Sequence, residues 1–183
     1  MPIIAVSGRI GSGKDALYRA IHEVDPRFEQ RLFAYKLKQI CALLTGTSIE
    51  EQLSREGKER YLMSWGMTIG AMQQRLGTDA IRSGLHPDAW IIALMSDYKR
   101  RSFWVVTDAR FPNEVSAILD RDGVVVRIDG SRTGPQGRDP NHISETALDD
   151  WDYWDYRFTN GGGWEDLQRH AGNILDILWS RMD

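Results

Sequence analysis

Short apolar runs that end in turn residues alternate along the chain with stretches whose apolar positions repeat every three to four residues. Runs of the first kind are typical of buried strands, and the longer repeat is typical of helices. The predicted strands are Ile3–Ser7, Arg31–Ala34, Phe103–Thr107, Val124–Ile128 and Tyr156–Thr159. Five short strands separated by helices predict an α/β fold with a central, five-stranded, mainly parallel sheet.

The predicted helices are bounded by glycine, proline and capping residues. They are Lys14–Glu23, a helix through Leu44 that stops at Gly46, a short helix opened by Ser48-x-x-Glu51, Thr68–Ser83, a helix from His86-Pro87-Asp88 to about Arg101, Pro112–Asp120, Ser144–Asp150 and Trp164–Met182. The segment Arg132–Asn141 contains two glycines and two prolines, which predicts a loop that acts as a mobile flap.

Composition narrows the class of protein. The chain has 183 residues, of which 42% are hydrophobic and 27% charged, as expected for one folded domain. Its single cysteine, Cys41, excludes an internal disulfide and favours a reducing compartment, most simply the cytoplasm. The longest apolar run, Ala89–Met95, is too short for a membrane span, and Met1–Ser7 does not resemble a signal peptide. A formal net charge of −3 argues against stable nucleic-acid binding.

A glycine-rich turn follows the first strand and opens the first helix. Its sequence, Gly8-Arg9-Ile10-Gly11-Ser12-Gly13-Lys14, fits the phosphate-binding pattern G-x-x-x-x-G-K in the context that the pattern requires. Glycines let several N–H groups point at one anion, the helix N-terminus adds partial positive charge, and Lys14 adds a full charge. The turn therefore predicts an ATP-phosphate site, with Lys14 as a catalytic residue; the alternative is a glycine-rich turn with a solvated lysine.

Two carboxylates are candidates for a metal site. Asp15 stands where such loops usually carry Ser or Thr, and a carboxylate can hold Mg²⁺ directly or through water. Asp108 ends the apolar strand at the sheet edge where ligands bind, so it is a candidate catalytic and Mg²⁺-binding residue, or else a turn aspartate. Nearby, Arg110 is suited to a phosphate, whereas Glu114 is a candidate binding residue or only a first-turn acid of its helix.

Other charged and aromatic residues are candidates for a second phosphate and a base. One face of a predicted helix carries Arg75, Asp79 and Arg82 at α-helical spacing. These residues either bind the substrate phosphate or are exposed and form ion pairs with one another. Arg132 and Arg138 in the flap are candidates for neutralising charge in a phosphoryl-transfer transition state. Further candidates for the base-binding region are Phe33 and Trp90, although most tryptophans serve as core anchors.

These landmarks together resemble the phage-type deoxynucleoside monophosphate kinases over nearly the whole chain. The segments that carry the resemblance are Ser7-Gly8 through Gly13-Lys14-Asp15, Phe33-Ala34 with Leu37-Lys38, Gln74-Arg75-Leu76-Gly77-Thr78-Asp79 with Arg82, Pro87-Asp88-Ala89-Trp90, Asp108-Ala109-Arg110-Phe111-Pro112-Asn113-Glu114, His142-x-Ser144-Glu145 and Asn160-Gly161. Ala16 departs from the pattern, because a hydroxyl residue is commoner at that position.

The resemblance implies a single three-layer P-loop domain over residues 1–183, with a helical region that binds the nucleoside monophosphate and a lid at about residues 129–142. It implies transfer of the γ-phosphoryl group of ATP, with Mg²⁺, to a deoxynucleoside 5′-monophosphate for phage DNA precursor supply in the host cytoplasm, by a homodimer. The implied ATP-binding residues are Gly8, Arg9, Gly11, Ser12, Gly13, Lys14 and Asp15. The implied substrate-binding residues are Phe33, Lys38, Arg75, Asp79, Arg82, Trp90, Arg110 and Glu114.

Three alternatives stay open at the level of sequence. An animal-type phosphomevalonate kinase shares a Gly-Lys-Asp loop, and would need a small anionic acceptor pocket without a base slot. A catalytically degenerate nucleotide-binding module stays open because Asp15-Ala16 departs from the usual residues of such a loop. A nucleic-acid-dependent P-loop motor is opposed by the acidic charge balance and the short chain.

Overall fold

The computed structural model describes residues 1–99, 101–130 and 141–182. The helices in this part of the chain are α1 (Lys14–Val24), α2 (Tyr35–Thr45), α3 (Ile49–Leu53), α4 (Arg55–Glu59), α5 (Ile69–Gln74), α6 (Ala89–Met95), α7 (Pro112–Leu119), α8 (Ile143–Thr146) and α9 (Trp164–Ser180). The strands are β1 (Ile3–Gly8), β2 (Phe28–Arg31), β3 (Tyr61–Leu62), β4 (Met67–Thr68), β5 (Phe103–Val106), β6 (Val124–Asp129) and β7 (Tyr156–Thr159). A 3₁₀ turn covers Met63–Trp65, and a π-helical segment covers Arg75–Arg82.

The chain contains two compact units. Unit 1 contains Met1–Leu32 and the described residues of 97–130 and 147–182. Unit 2 contains Phe33–Ser96 and residues 141–146. The expectation of a single domain over residues 1–183 stays a prediction.

Unit 1 is built on a five-stranded sheet in the order β2-β5-β1-β6-β7, with every neighbouring pair parallel. In the register of the central strands, Ala5 pairs with Val106 on one side and with Val125 on the other. The three central strands are mainly apolar and mostly buried, as is typical of a parallel sheet covered on both faces. The carboxyl ends of all five strands therefore meet at one edge, where the turn after β1 also lies.

Helices flank this sheet. The main core joins alternate residues of the strands, including Ile4 and Val6, to buried residues of α1 and α9, including Leu17 and Ile174. The helix α7 contacts β1 and β6, and its Val115 and Ile118 are fully buried. The predicted α/β class with a central five-stranded parallel sheet is confirmed. None of the helices in the described ranges is long and apolar enough to span a membrane.

Unit 2 is mainly helical. It contains α2 to α6, the π-helical segment, α8 and a two-stranded antiparallel ribbon in which β3 pairs with β4. Its buried residues include Leu37 and Cys41 of α2, Ile69 of α5 and Leu94 of α6. A polar pair lies inside it as well: the Gln73 amide donates to both the backbone and side-chain oxygens of Gln52, which is fully buried.

The second strand was wrongly placed by the sequence pattern. It covers Phe28–Arg31 rather than Arg31–Ala34. The reason is a tight turn at Asp25, whose side chain accepts a hydrogen bond from the Arg27 N–H and whose backbone carbonyl accepts one from the Phe28 N–H. The chain is therefore extended again at Phe28, which is fully buried and pairs with Phe103.

Several helical predictions also need correction. The helix expected over Thr68–Ser83 is α-helical only to Gln74 and continues as the π-helical segment. The helix expected to reach about Arg101 ends at Met95, and the one expected over Ser144–Asp150 covers Ile143–Thr146. The predicted flap apart from Asn141, and most of the predicted lid, lie outside the described residues, as do Arg132 and Arg138.

The only cysteine of the chain gives a test of the packing of unit 2. Burial raises the pKa of the Cys41 thiol to about 11, so at pH 8 the thiol stays protonated. Because the thiolate is the reactive form, we expect iodoacetamide to modify the folded protein at least ~100-fold more slowly than the denatured protein. Mass spectrometry of timed samples measures both rates, and equal rates would contradict the burial of Cys41.

Candidate functional site

The glycine-rich turn between β1 and α1 has the backbone form expected of an anion-binding loop. Gly11 and Gly13 have φ angles of 78° and 104°, a region that residues with a Cβ rarely adopt. Gly13 is the N-cap of α1, so the positive end of that helix faces the loop. The local sequence therefore produces the structure that its motif predicts.

Three carbonyl groups of this loop are held by side-chain donors. The Lys14 ammonium donates to Gly8 O at 2.6 Å and to Arg9 O at 2.9 Å. The Asn160 amide donates to Ser12 O at 2.9 Å. A carbonyl group and the N–H group of the following residue share one peptide plane, so these contacts fix the directions of the Arg9, Ile10 and Gly13 N–H groups. The Ser12 N–H group donates to Arg9 O at 3.1 Å and closes the turn. That arrangement suits a polyanion such as a nucleotide phosphate chain.

Close packing fixes the start of the loop. An added Cβ at Gly8 would lie 2.5 Å from Ser12 Oγ and 2.6 Å from Ile128 O. Ser12 is 3% exposed, and its hydroxyl has no hydrogen-bond partner among the described residues. A buried hydroxyl without a partner is costly, and a bound anion at the loop would supply an acceptor for it.

Asp15 lies against the end of β5. Its Oδ1 accepts a hydrogen bond of 2.7 Å from the Gln30 amide and lies 3.4 Å from the Thr107 hydroxyl. The Gln30 amide also donates to Thr107 at 2.8 Å, and Asp108 directly follows Thr107. The structure thus brings Asp15 to the end of the strand that carries Asp108, as the sheet topology requires.

An ionic cluster joins the loop to β6. The guanidinium of Arg9 contacts the Asp149 carboxylate at 2.5 Å, and Arg127 contacts the same carboxylate at 3.4 Å. Arg127 also donates to Ser7 Oγ at 3.2 Å and lies over the Trp154 ring. The side chain of Arg127 is only 12% exposed, whereas that of Arg9 is 42% exposed, so Arg9 is the more accessible cation.

Glu114 is a buried member of the helix start rather than an open carboxylate. It is 3% exposed, and its Oε2 accepts hydrogen bonds from the backbone N–H groups of Arg110 (2.8 Å) and Phe111 (3.2 Å). This is the helix-start role that the sequence left open for it. Its contact fixes the backbone at Arg110, whose role in substrate binding stays a prediction.

The aromatic candidates of unit 2 belong to its core. Phe33 is 2% exposed and Trp90 is 7% exposed. The indole of Trp90 donates to Gly77 O of the π-helical segment at 2.9 Å. Lys38 is also buried, and a Cβ at Gly77 would lie 2.6 Å from Leu37, so the π-helical segment packs closely on α2.

The three charged residues of the π-helical segment do not have the spacing that was assumed for them. The Ser83 N–H bonds to Thr78 O, five residues earlier, so the turn is wider than in an α-helix and the α-helical argument for one shared face fails. Asp79 lies 3.7 Å from the His142 imidazole, and Arg82 donates to Pro87 O at 2.8 Å. Arg75 is exposed.

Sequence reasoning missed three residues that contact the loop or its acidic neighbour: Gln30, Asp149 and Asn160. Each is distant in sequence from the group it touches, so no local pattern could identify it. The pair Asn160-Gly161 is one of the segments that resemble the kinases, but the resemblance did not assign a role to either residue. In the described residues no group of three or more His, Cys, Asp or Glu side chains could hold a metal.

Comparison with known proteins adds one finding. A protein of Acanthamoeba polyphaga mimivirus, named "Putative deoxynucleotide monophosphate kinase", is 29% identical to this chain over 170 residues. The match covers 83% of this chain and 86% of that protein. No protein-family model matches the chain.

Proposed function

We propose that this protein is a nucleotide kinase that transfers the γ-phosphoryl group of ATP to a deoxynucleoside 5′-monophosphate. The observation that carries the proposal is the loop 8–14 at the start of α1, in which Lys14 and Asn160 hold three backbone carbonyls. The similarity to the mimivirus protein supports kinase activity and a nucleotide substrate.

The reaction balances without a further reactant. An oxygen of the acceptor phosphate forms a bond to the γ-phosphorus of ATP, and the bond from that phosphorus to the β–γ bridging oxygen breaks. The products are ADP and the deoxynucleoside diphosphate. Because a phosphate oxygen is already a nucleophile, the protein has mainly to position the two nucleotides and stabilise the charge of the transferring group.

On the donor side, the N–H groups of the loop bind the ATP phosphates, and Lys14 leaves its two carbonyl partners to contact the migrating group. Asp15 and Asp108 are the proposed ligands of Mg²⁺. Two carboxylates at a sheet edge suit this ion, since Mg²⁺ in such sites keeps several waters and phosphate oxygens among its six ligands. When bound, Mg²⁺ neutralises part of the phosphate charge.

On the acceptor side, the proposed phosphate ligands are Arg75, Arg82 and Arg110. Arg132 and Arg138 are proposed to neutralise charge in the transition state. The buried positions of Phe33, Lys38 and Trp90 support an indirect part for them, in which they shape the base-binding region. We also propose a homodimer, which light scattering of the purified protein would test.

An ADP-release assay over all common ribo- and deoxyribonucleoside monophosphates tests the function. We expect ATP-dependent turnover that requires Mg²⁺ and prefers one or more deoxynucleotides. Phosphomevalonate is included in the panel, and turnover with it alone would identify the other kinase class. ATP binding without any diphosphate product would instead identify a degenerate nucleotide-binding module.

A further inference from the structure

We propose that Asn160 is a positioning residue for ATP, because it fixes the direction of the Ser12 carbonyl and thereby that of the Gly13 N–H group in the same peptide plane. The inference rests on the proposed function, since it concerns the same loop. It assigns a role to a residue in the connection between β7 and α9, 148 positions away from the carbonyl that it contacts.

The sheet register places Asn160 beside the loop. Gly8, at the end of β1, pairs with Ile128 of β6, and Ile128 pairs in turn with Phe158 of β7. Asn160 lies two residues beyond Phe158, just as the loop begins beyond Gly8. The two connections therefore leave the sheet side by side at the same edge. Since α9 packs against α1, the helices that follow both connections are also held together.

The contact itself is specific to an amide. Asn160 Nδ2 donates to Ser12 O at 2.9 Å, and it occupies the space that a Cβ at Gly13 would need. Glycine is therefore needed at position 13 for two reasons: the backbone has a φ of 104°, and the Asn160 amide lies where a Cβ would be. An aspartate at position 160 could not donate to the carbonyl, and would place a negative charge beside a site for anions.

The Asn160 contact adds a third occupied carbonyl to the two that Lys14 holds. Lys14 holds Gly8 O and Arg9 O, but the proposed mechanism requires its ammonium to move onto a phosphate. Asn160 carries no charge, and nothing in that step draws its amide away from Ser12 O. It therefore keeps the second half of the loop in shape when Lys14 has left the first half.

The test compares Asn160→Ala and Asn160→Asp with the wild-type protein. The control is Asn173→Asp, which alters an exposed amide of α9 that donates to the Tyr156 hydroxyl at 3.0 Å. We expect Asn160→Ala to raise both the Kd and the KM for ATP about 5- to 10-fold, as expected for the loss of one hydrogen bond, and Asn160→Asp to raise them further. The KM for the acceptor nucleotide should not change, and Asn173→Asp should match the wild type.

A purely structural role for Asn160 would give a different pattern: a lower fraction of active protein with an unchanged KM for ATP. That pattern, or wild-type ATP affinity in both Asn160 variants, would overturn the inference. Hydrogen–deuterium exchange of the loop amides without nucleotide gives a second readout. Exchange should be faster in Asn160→Ala, and an unchanged rate would overturn the inference even if the wild-type protein fails to bind ATP and the proposed function itself falls.

Discussion

Replacing Lys14 by alanine is expected to lower kcat for phosphoryl transfer by about 100- to 1,000-fold, the range found when one preorganised charge-stabilising donor is removed. Lys14 is the cation built into the loop, and its ammonium already lies against Gly8 O and Arg9 O at the start of the anion site. Charge that develops on the transferring group would lose this partner, whereas the rest of the protein would be unaffected. Steady-state ADP release at saturating ATP and acceptor measures the change.

The matched control is Lys99→Ala, which removes an exposed lysine of the same unit. Thermal unfolding should show that Lys14→Ala remains folded, because the hydrogen bonds of Lys14 to Gly8 O and Arg9 O are partly buried and lie in a turn rather than in the core of the sheet. Near-normal turnover of the folded Lys14→Ala protein would refute the assignment of the loop as the ATP site.

The strands that the sequence predicted well are the ones buried in the sheet. Val124–Ile128 is apolar except for Arg127, and Phe103–Thr107 is apolar up to its last residue, so both patterns favour a buried strand. The edge strand Phe28–Arg31 has one buried residue followed by three polar or charged ones, and its pattern resembles a loop. Its position depends on the turn at Asp25 and on pairing with β5. A local apolar pattern predicts neither of these contacts.

The residues of the candidate site also differ in whether the sequence can predict them. Residues 8–14 were predicted because all the groups that form the loop are consecutive in sequence. The contacts of Asn160, Asp149 and Gln30 depend on which strands are neighbours, so they follow only from the sheet order. The π-helical segment was missed for another reason: apolar spacing assumes α-helical geometry, while Gly77 and the Trp90 indole stabilise a wider turn through packing and one hydrogen bond.

Replacing Gly13 by alanine is expected to weaken ATP binding at least tenfold and to lower the free energy of unfolding by about 1–3 kcal/mol, the range for a residue held in a sparsely populated backbone region. Gly13 has a φ of 104°, and an added Cβ would overlap the Asn160 amide. The end of the Asn160 side chain can move, but only by giving up its hydrogen bond to Ser12 O. Calorimetric titration with ATP and chemical denaturation measure the two effects.

Gly172→Ala is the control for this substitution, because the same change from glycine to alanine should raise the free energy of unfolding there. Gly172 lies within α9, and an added Cβ would have nothing within 4 Å, so alanine should stabilise the protein by about 0.5–1 kcal/mol without changing ATP affinity. Since Gly13→Ala and Asn160→Ala disturb one shared contact, their combined effect on the Kd for ATP should be less than additive. Full additivity would mean that the strain at Gly13 and the amide of Asn160 act on the loop independently.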